Sequence, residues 1–255
     1  ISHDGKTEQV SSVQYDDAYV LIFSTGILPP LGAVTFSINR MPNNHQRMET
    51  PPVVTSRRHL RRDGAKESVE VSNGLISAIF DSTTGMLTGI ASGSVSLSLN
   101  QTWGYYTSYD SSLDVSESNQ NSSAYIFRPS SSELTPLAPK SNEAAFVNTA
   151  AGMEVHATFQ KPWIKQITRV VAGQPYLEVE YTIGPIPIDD GRGKDIVTRY
   201  MTPIESDGVL YTDSNGREFQ KRQRDYRPTW NLTVYEHVAG NYYPVNAALY
   251  IQDTK

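Results

Sequence analysis

Alternation with a period of two constrains this chain more than any other feature. Leu177, Val179, Tyr181 and Ile183 alternate with Glu178, Glu180 and Thr182, and Met153, Val155, Ala157 and Phe159 alternate with Glu154, His156, Thr158 and Gln160. Val95, Leu97 and Leu99 alternate with serines, and Val245, Ala247, Leu249 and Ile251 form another such series. Successive strand side chains point to opposite sides, so each run predicts one core face and one polar face. Antiparallel sheets with one solvated side require that pattern. Turn residues punctuate the runs. Leu75–Phe80, Asp81–Gly85 and Met86–Ile90 read as strand, turn and strand of a hairpin, with Gly85 able to take a positive φ at low cost. Val170–Pro175 and Asp189–Gly193 read as further turns. No window of a dozen residues carries a helical period, so the fold class is all-β.

Composition limits what such a chain can do. Its 255 residues, 38% of them hydrophobic, with fifteen tyrosines, can supply a sizeable core. A net charge of −5 with 19% charged residues gives no electrostatic reason to expect a nucleic-acid partner. There is no apolar run long enough for a membrane span; the stretch Tyr19–Phe23 has strand length. The first residues lack an initiator Met and a signal-peptide pattern, so the chain is expected to begin inside a longer precursor. Zero cysteines exclude a disulfide framework. Three sequons, at Asn100, Asn121 and Asn231, are candidate glycosylation sites and point to secretory or lysosomal passage.

Three regions are expected along the chain: the end of a small β domain at residues 1–40, an exposed polar linker at 41–66, and a large β-sandwich at 67–255. The basic cluster Arg57–Arg62 reads as a solvated or protease-sensitive loop rather than a nucleic-acid patch. Ser108–Ser123 reads as a long surface loop.

Candidate chemistry is sparse. The five histidines, His3, His45, His59, His156 and His237, are scattered without zinc-site spacing, so no metal ligand is assigned within the chain. Asp189 and Asp190 are adjacent in a glycine-rich turn and read as hairpin residues. The carboxyls of a glycosidase must instead face each other across a sugar. Glu178 and Glu180 sit on the polar face of one strand. The stretch 211–246 is different in kind, dense in Arg, Tyr, Asp and Asn. Arg217, Arg222, Arg224 and Arg227 are placed to pair with Asp213, Glu218 and Asp225 in a fork-geometry network. Such side chains either bind sugars or rigidify an interface, and composition leaves both readings open.

Five ordered motifs carry a family resemblance. Tyr211–Arg217, Arg224–Trp230 and Val238–Asn246, preceded by Ala124–Pro129 and Gly184–Asp189, resemble the C-terminal region of lysosomal-type α-mannosidases of glycoside hydrolase family 38. Weaker similarity reaches back through Asn73–Ile90 and Leu28–Gly32, so the resemblance covers about residues 18–255. It implies a galactose-mutarotase-like antiparallel β-sandwich, preceded by part of a smaller one and incomplete without the rest of the precursor. The implied activity is retaining exo-α-mannosidase action on terminal mannose of N-glycans and glycoproteins, through two Asp carboxylates on an N-terminal barrel. The implied cofactor is zinc, held on that barrel outside this chain. The chain therefore carries no assigned catalytic residue, and the segment alone is expected to be inactive.

The implied contribution of this segment is a wall of the active site, with Tyr125 as the substrate-binding residue. Implied partners are the barrel and helical segments, the remaining C-terminal strands, mannose-containing glycans, and a further copy in a homo-oligomer. The implied location is lysosomal or vacuolar, or secreted. A stand-alone carbohydrate-binding or extracellular interaction module is the alternative. Three departures stand out. Ser123 replaces a Gly that usually precedes Ala-Tyr, Ile164 stands where animal members often have Cys, and the chain stops at Lys255, short of further strands and another active-site arginine.

Overall fold

The computed structural model describes residues 2–3, 6–7, 10–15, 18–23, 25, 28–38, 54–59, 67–113 and 120–254. The fold is all-β and built of antiparallel sheets, and among the described residues the one helical element is a short 3₁₀ turn at Ala239–Asn241. Among the described residues no helix is long and apolar enough to cross a membrane. The chain forms two compact units, one from Ile1–Ser98 with Pro139–Thr182, the other from Leu99–Ala138 with Ile183–Lys255.

The first unit is a sandwich. One sheet runs, in spatial order, Thr55–His59, Ser68–Ser72, Ser77–Asp81, Leu87–Ser92 and Val95–Ser98. The other runs Ala145–Thr149, Gly152–Thr158, Ile164–Val171 and Leu177–Ile183. Val69, Val71, Ala78, Phe80 and Leu87 from the first and Met153, Val155, Ala157, Ile164 and Val170 from the second are buried. The Phe80 ring meets Phe146 edge-on at 6.2 Å between centroids, the geometry that aromatic quadrupoles favour. Asn73 ties the sheets together: its side-chain amide donates to the carbonyls of Val171 and Gln174 at 2.7 and 2.8 Å.

The hairpin expected at residues 75–90 is present, with strands Ser77–Asp81 and Leu87–Ser92. Asp81 Oδ1 accepts the N–H groups of Thr83 and Thr84 and the Thr83 hydroxyl. Burial opposes ionisation of Asp81, but these hydrogen bonds outweigh it and hold the carboxyl below its ordinary value. Gly85 closes the turn at φ +70°, a conformation that side-chain-bearing residues rarely adopt. The turns at 170–175 and 189–193 also form, with Gly173 and Gly191 at positive φ.

Periodicity misjudges several faces. Glu154, expected on a solvated face, is 2% exposed, because Arg169 and His156 enclose its carboxylate at 2.7 and 2.8 Å. Gln166 and Thr168 lie on the core face of Ile164–Val171 and hydrogen-bond each other there. Val95 is 71% exposed, on a strand at the edge of its sheet. Val245, Leu249 and Ile251 are exposed too, and of that run only Leu249–Tyr250 is a strand. Within the span read as a linker, Thr55–His59 is the edge strand opposite Ser68–Ser72, with Arg57 in register with Glu70. Such a run has no apolar face for a pattern to reveal. Val54, just before that strand, is buried in the core, whereas residues 41–53 and 60–66, which include His45, Arg61 and Arg62, lie outside the described residues, as do residues 114–119 of the expected surface loop.

The second unit is built on Asn100–Thr107, paired over its whole length with Lys194–Met201 and, at Gly104 and Tyr105, with Thr135–Pro136. Trp103 and Leu137 are buried there, joined by a Leu137 N–H donating to the Trp103 carbonyl. A second sheet joins Glu218–Gln223, Val209–Ser214 and Leu249–Tyr250. Its Tyr211 and Tyr250 rings stack at 4.6 Å.

Candidate functional site

Tyr125 stands at the tip of a tight turn in the second unit and is 96% exposed. A tyrosine buried and satisfied by backbone would be the ordinary structural use of such a residue; within this chain Tyr125 is not buried. The turn is closed by local hydrogen bonds. Ser123 N–H donates to the Ile126 carbonyl at 3.0 Å, and Ser123 Oγ accepts the Tyr125 N–H at 3.4 Å. Ser123 is not among the non-glycine residues with positive φ, which are Leu31, Asn142, Asp207, Asn215 and Asp225. The serine therefore needs no left-handed backbone here, and its hydroxyl serves the turn.

The arms of the turn are fixed by Arg128 and Ser122. Arg128 N–H donates to Ser122 Oγ at 2.9 Å, and the Ser122 hydroxyl donates back to the Arg128 carbonyl. That carbonyl also accepts the N–H of Tyr109 at 2.7 Å. The Arg128 side chain reaches Glu236 Oε1 through Nε at 2.6 Å and the Gln120 carbonyl through Nη1 at 2.6 Å. Beside it runs a polar groove whose walls include Tyr109, Ser130, Tyr235 and His237. Arg128 stands within a motif the sequence singles out, but its partner Glu236 is 108 residues away. No local pattern joins the two.

The stretch 211–246 is a network, though not of the expected arginine–carboxylate pairs. Asp213 is buried, and its Oδ1 accepts the N–H groups of Asn246, Ala247 and Ala248 while Oδ2 accepts that of Gly216. These backbone donors, Ala247 and Ala248 foremost, lower its pKa to about 2. Arg227 donates to the Gly240 carbonyl and the Tyr243 hydroxyl, and Arg222 to Thr212 Oγ1, with both guanidiniums over the Tyr243 ring. Asp225 bonds Asn241 twice, through its N–H and its carboxylate. Tyr242 donates to Asp195 at 2.7 Å; partial burial and that carboxylate push the phenol well above its ordinary pKa. Neutral backbone donors take the place of arginines because they converge on Asp213 from one strand entry, needing no long side chain to be ordered. These contacts tie Thr212, Asp213, Gly240, Asn241, Tyr243 and Asn246–Ala248 together within the chain.

Other candidates take simple structural places. Asp190 is paired with Lys194 at 2.8 Å, and that hydrogen bond holds its carboxyl below the usual range. Glu180 meets Arg169 at 2.6 Å, and Glu178 is exposed. Asn100, Asn121 and Asn231 are all exposed; Asn121 Oδ1 accepts the Ser111 N–H. Among the described residues no group of three or more histidines and carboxylates could hold a metal ion.

Comparison with known proteins is consistent with these motifs. Residues 71–255 match the model of the glycosyl hydrolases family 38 C-terminal domain. The chain is 40% identical over 242 residues to the lysosomal α-mannosidase of Mus musculus, covering 94% of this chain and 23% of that protein. It is 40% identical over 235 residues to the lysosomal α-mannosidase of Homo sapiens, covering 91% and 22%. With an α-mannosidase of Canavalia ensiformis it shares 36% identity over 241 residues, covering 93% and 23%. The chain thus spans less than a quarter of the length of these relatives.

Proposed function

We propose, because this chain belongs to glycosyl hydrolase family 38 through that family's C-terminal domain, that it serves a larger retaining exo-α-mannosidase and forms one wall of its active site. The proposed substrates are terminal α-mannosides of N-glycans and glycoproteins. The proposed setting is the lysosome or vacuole, or the exterior after secretion, with Asn100, Asn121 and Asn231 as glycan acceptors.

One observation carries the reading of the site: Tyr125 projects almost fully exposed from a turn closed by its own backbone. A phenol so held can donate to a mannose hydroxyl and lay its ring face against the sugar carbons. Retaining hydrolysis further needs two carboxylates about 5–5.5 Å apart, one as nucleophile and one to shuttle the proton. The conspicuous carboxylates of this segment are engaged elsewhere, Glu154 with Arg169, Asp190 with Lys194 and Asp213 with backbone. Both catalytic groups, and the zinc that would help to hold sugar hydroxyls, are assigned by the family resemblance to the N-terminal barrel outside this chain.

The test is Tyr125→Phe in the full-length protein, read as kcat/KM on an aryl α-mannoside. Losing one neutral hydrogen bond, worth about 0.5–1.5 kcal/mol, is expected to lower kcat/KM about two- to tenfold. Unchanged kinetics would remove Tyr125 from the site. A full-length protein that binds mannose glycans yet hydrolyses no mannoside would point instead to a binding module.

A further inference from the structure

Arg128 anchors both arms of the turn that carries Tyr125. Its peptide unit makes the reciprocal pair with Ser122, and its carbonyl also holds the Tyr109 N–H. Its guanidinium lies 4.2 Å from the centroid of the Tyr109 ring, a ring that is 5% exposed. From that platform the fork spreads two ways, Nε to Glu236 and Nη1 to the Gln120 carbonyl, both at 2.6 Å. The Arg128 side chain is 14% exposed and that of Glu236 37%. The pair is thus partly withdrawn from solvent, where charge-assisted hydrogen bonds count for more than at an open surface.

We propose that Arg128 is a positioning residue: with Glu236 and the Tyr109 ring it latches the Gln120–Arg128 loop so that Tyr125 is presented preformed to substrate. The proposal rests on the reading of Tyr125 as a sugar contact. An exposed tyrosine on a free loop must be ordered each time it meets a ligand, and that ordering subtracts from binding. A loop already closed by seven named hydrogen bonds and a stacked guanidinium avoids the cost. Lysine cannot replace the arginine here, since one ammonium cannot stack on Tyr109 while its donors hold the fixed fork to Glu236 and Gln120.

The experiment is a cycle of Tyr125→Ala, Arg128→Met and the double variant in the full-length protein, with amide exchange across Ser122–Arg128. If Arg128 acts through Tyr125, each single variant lowers kcat/KM on an aryl α-mannoside by a similar factor, about tenfold. The double variant then falls no further than Tyr125→Ala alone. Amides of the turn exchange faster in Arg128→Met, while Glu236→Gln, which keeps an acceptor for Nε, stays near wild type in both readouts. Costs that multiply in the double variant, or turn amides unchanged in Arg128→Met, overturn the latch. Should Arg128→Met fail to fold, Glu236→Leu cuts the same bond from the other side and is read by the same cycle. Unchanged kcat/KM in Tyr125→Ala would instead remove the sugar contact, and with it the purpose of the latch, whatever the exchange shows.

Discussion

Arg169 holds two carboxylates at nearly equal distance, yet only one of them should matter to stability. Glu154 lies directly across the pair of strands Gly152–Thr158 and Ile164–Val171, with Oε1 2.7 Å from Arg169 Nε and its side chain 2% exposed. Glu180 Oε2 is 2.6 Å from Nη1, but that side chain is 57% exposed. An exposed pair gains about 0–1 kcal/mol, because water already solvates both charges well. Removing one partner of a buried pair costs about 3–5 kcal/mol, since the other charge is left without compensation. His156 Nε2, 2.8 Å from the second oxygen of Glu154, stays behind as a partner and brings the expected cost to the lower end.

Arg169→Met should therefore destabilise the first unit by about 3 kcal/mol, and Glu180→Gln by less than about 1 kcal/mol. Pairing Arg169→Met with Glu154→Leu should recover most of the loss, because no charge is then stranded. Amide exchange of the two strands in the full-length protein reports this locally, without assuming that the whole molecule unfolds in one step. At about 1.4 kcal/mol per tenfold, 3 kcal/mol corresponds to exchange accelerated roughly a hundredfold. The reasoning fails if Glu180→Gln costs as much as Arg169→Met, or if Arg169→Met changes exchange less than about fivefold.

Two further outcomes follow from buried groups. The folded Asp213 carboxyl titrates near 2 against an ordinary 3.8, so its stabilising effect is complete above the ordinary value and is lost as pH falls from there towards 2. Asp213→Asn should flatten that acid limb and speed exchange of the Ala247 and Ala248 amides at neutral pH; a variant with the wild-type acid profile would refute the assignment. Phe80, 0% exposed and set against Phe146, should cost about 3–5 kcal/mol on truncation to Ala. Retention of wild-type exchange in Ser77–Asp81 would show that the core closes over the gap.

Strand periodicity locates Gly152–Thr158 and Leu177–Ile183, and turn chemistry locates the Asp81–Gly85 hairpin, because both signals are local. What covers each face is not local. Met153, Val155 and Ala157 are indeed core, but Glu154 is buried as well, through an arginine on the next strand. The face shared by Val245, Leu249 and Ile251 reads the same way in sequence and is exposed. Gln166 and Thr168 escape detection because a hydrogen bond between them makes a polar pair acceptable in a core. At the site, Tyr125 is legible only through its motif, and Glu236 not at all. The pattern pairs Asp213 with arginines, whereas it meets the N–H groups of a segment more than thirty residues on.

Each compact unit is assembled from two separated stretches of chain, residues 1–98 with 139–182 and 99–138 with 183–255. On the ribosome this interleaving sets an order of events. The first unit cannot close its sandwich until residue 182 has been made, because the strands Gly152–Thr158 and Ile164–Val171 supply half of its core. Throughout that interval residues 99–138, the Tyr125 turn included, have emerged without the strand Lys194–Met201 against which Asn100–Thr107 pairs. At about 5–20 residues per second the wait lasts on the order of seconds. Trp103 and its neighbours are exposed to chaperones and to mispairing for that time. A slow codon between 139 and 194 should thus harm this protein more than one placed after both units are closed.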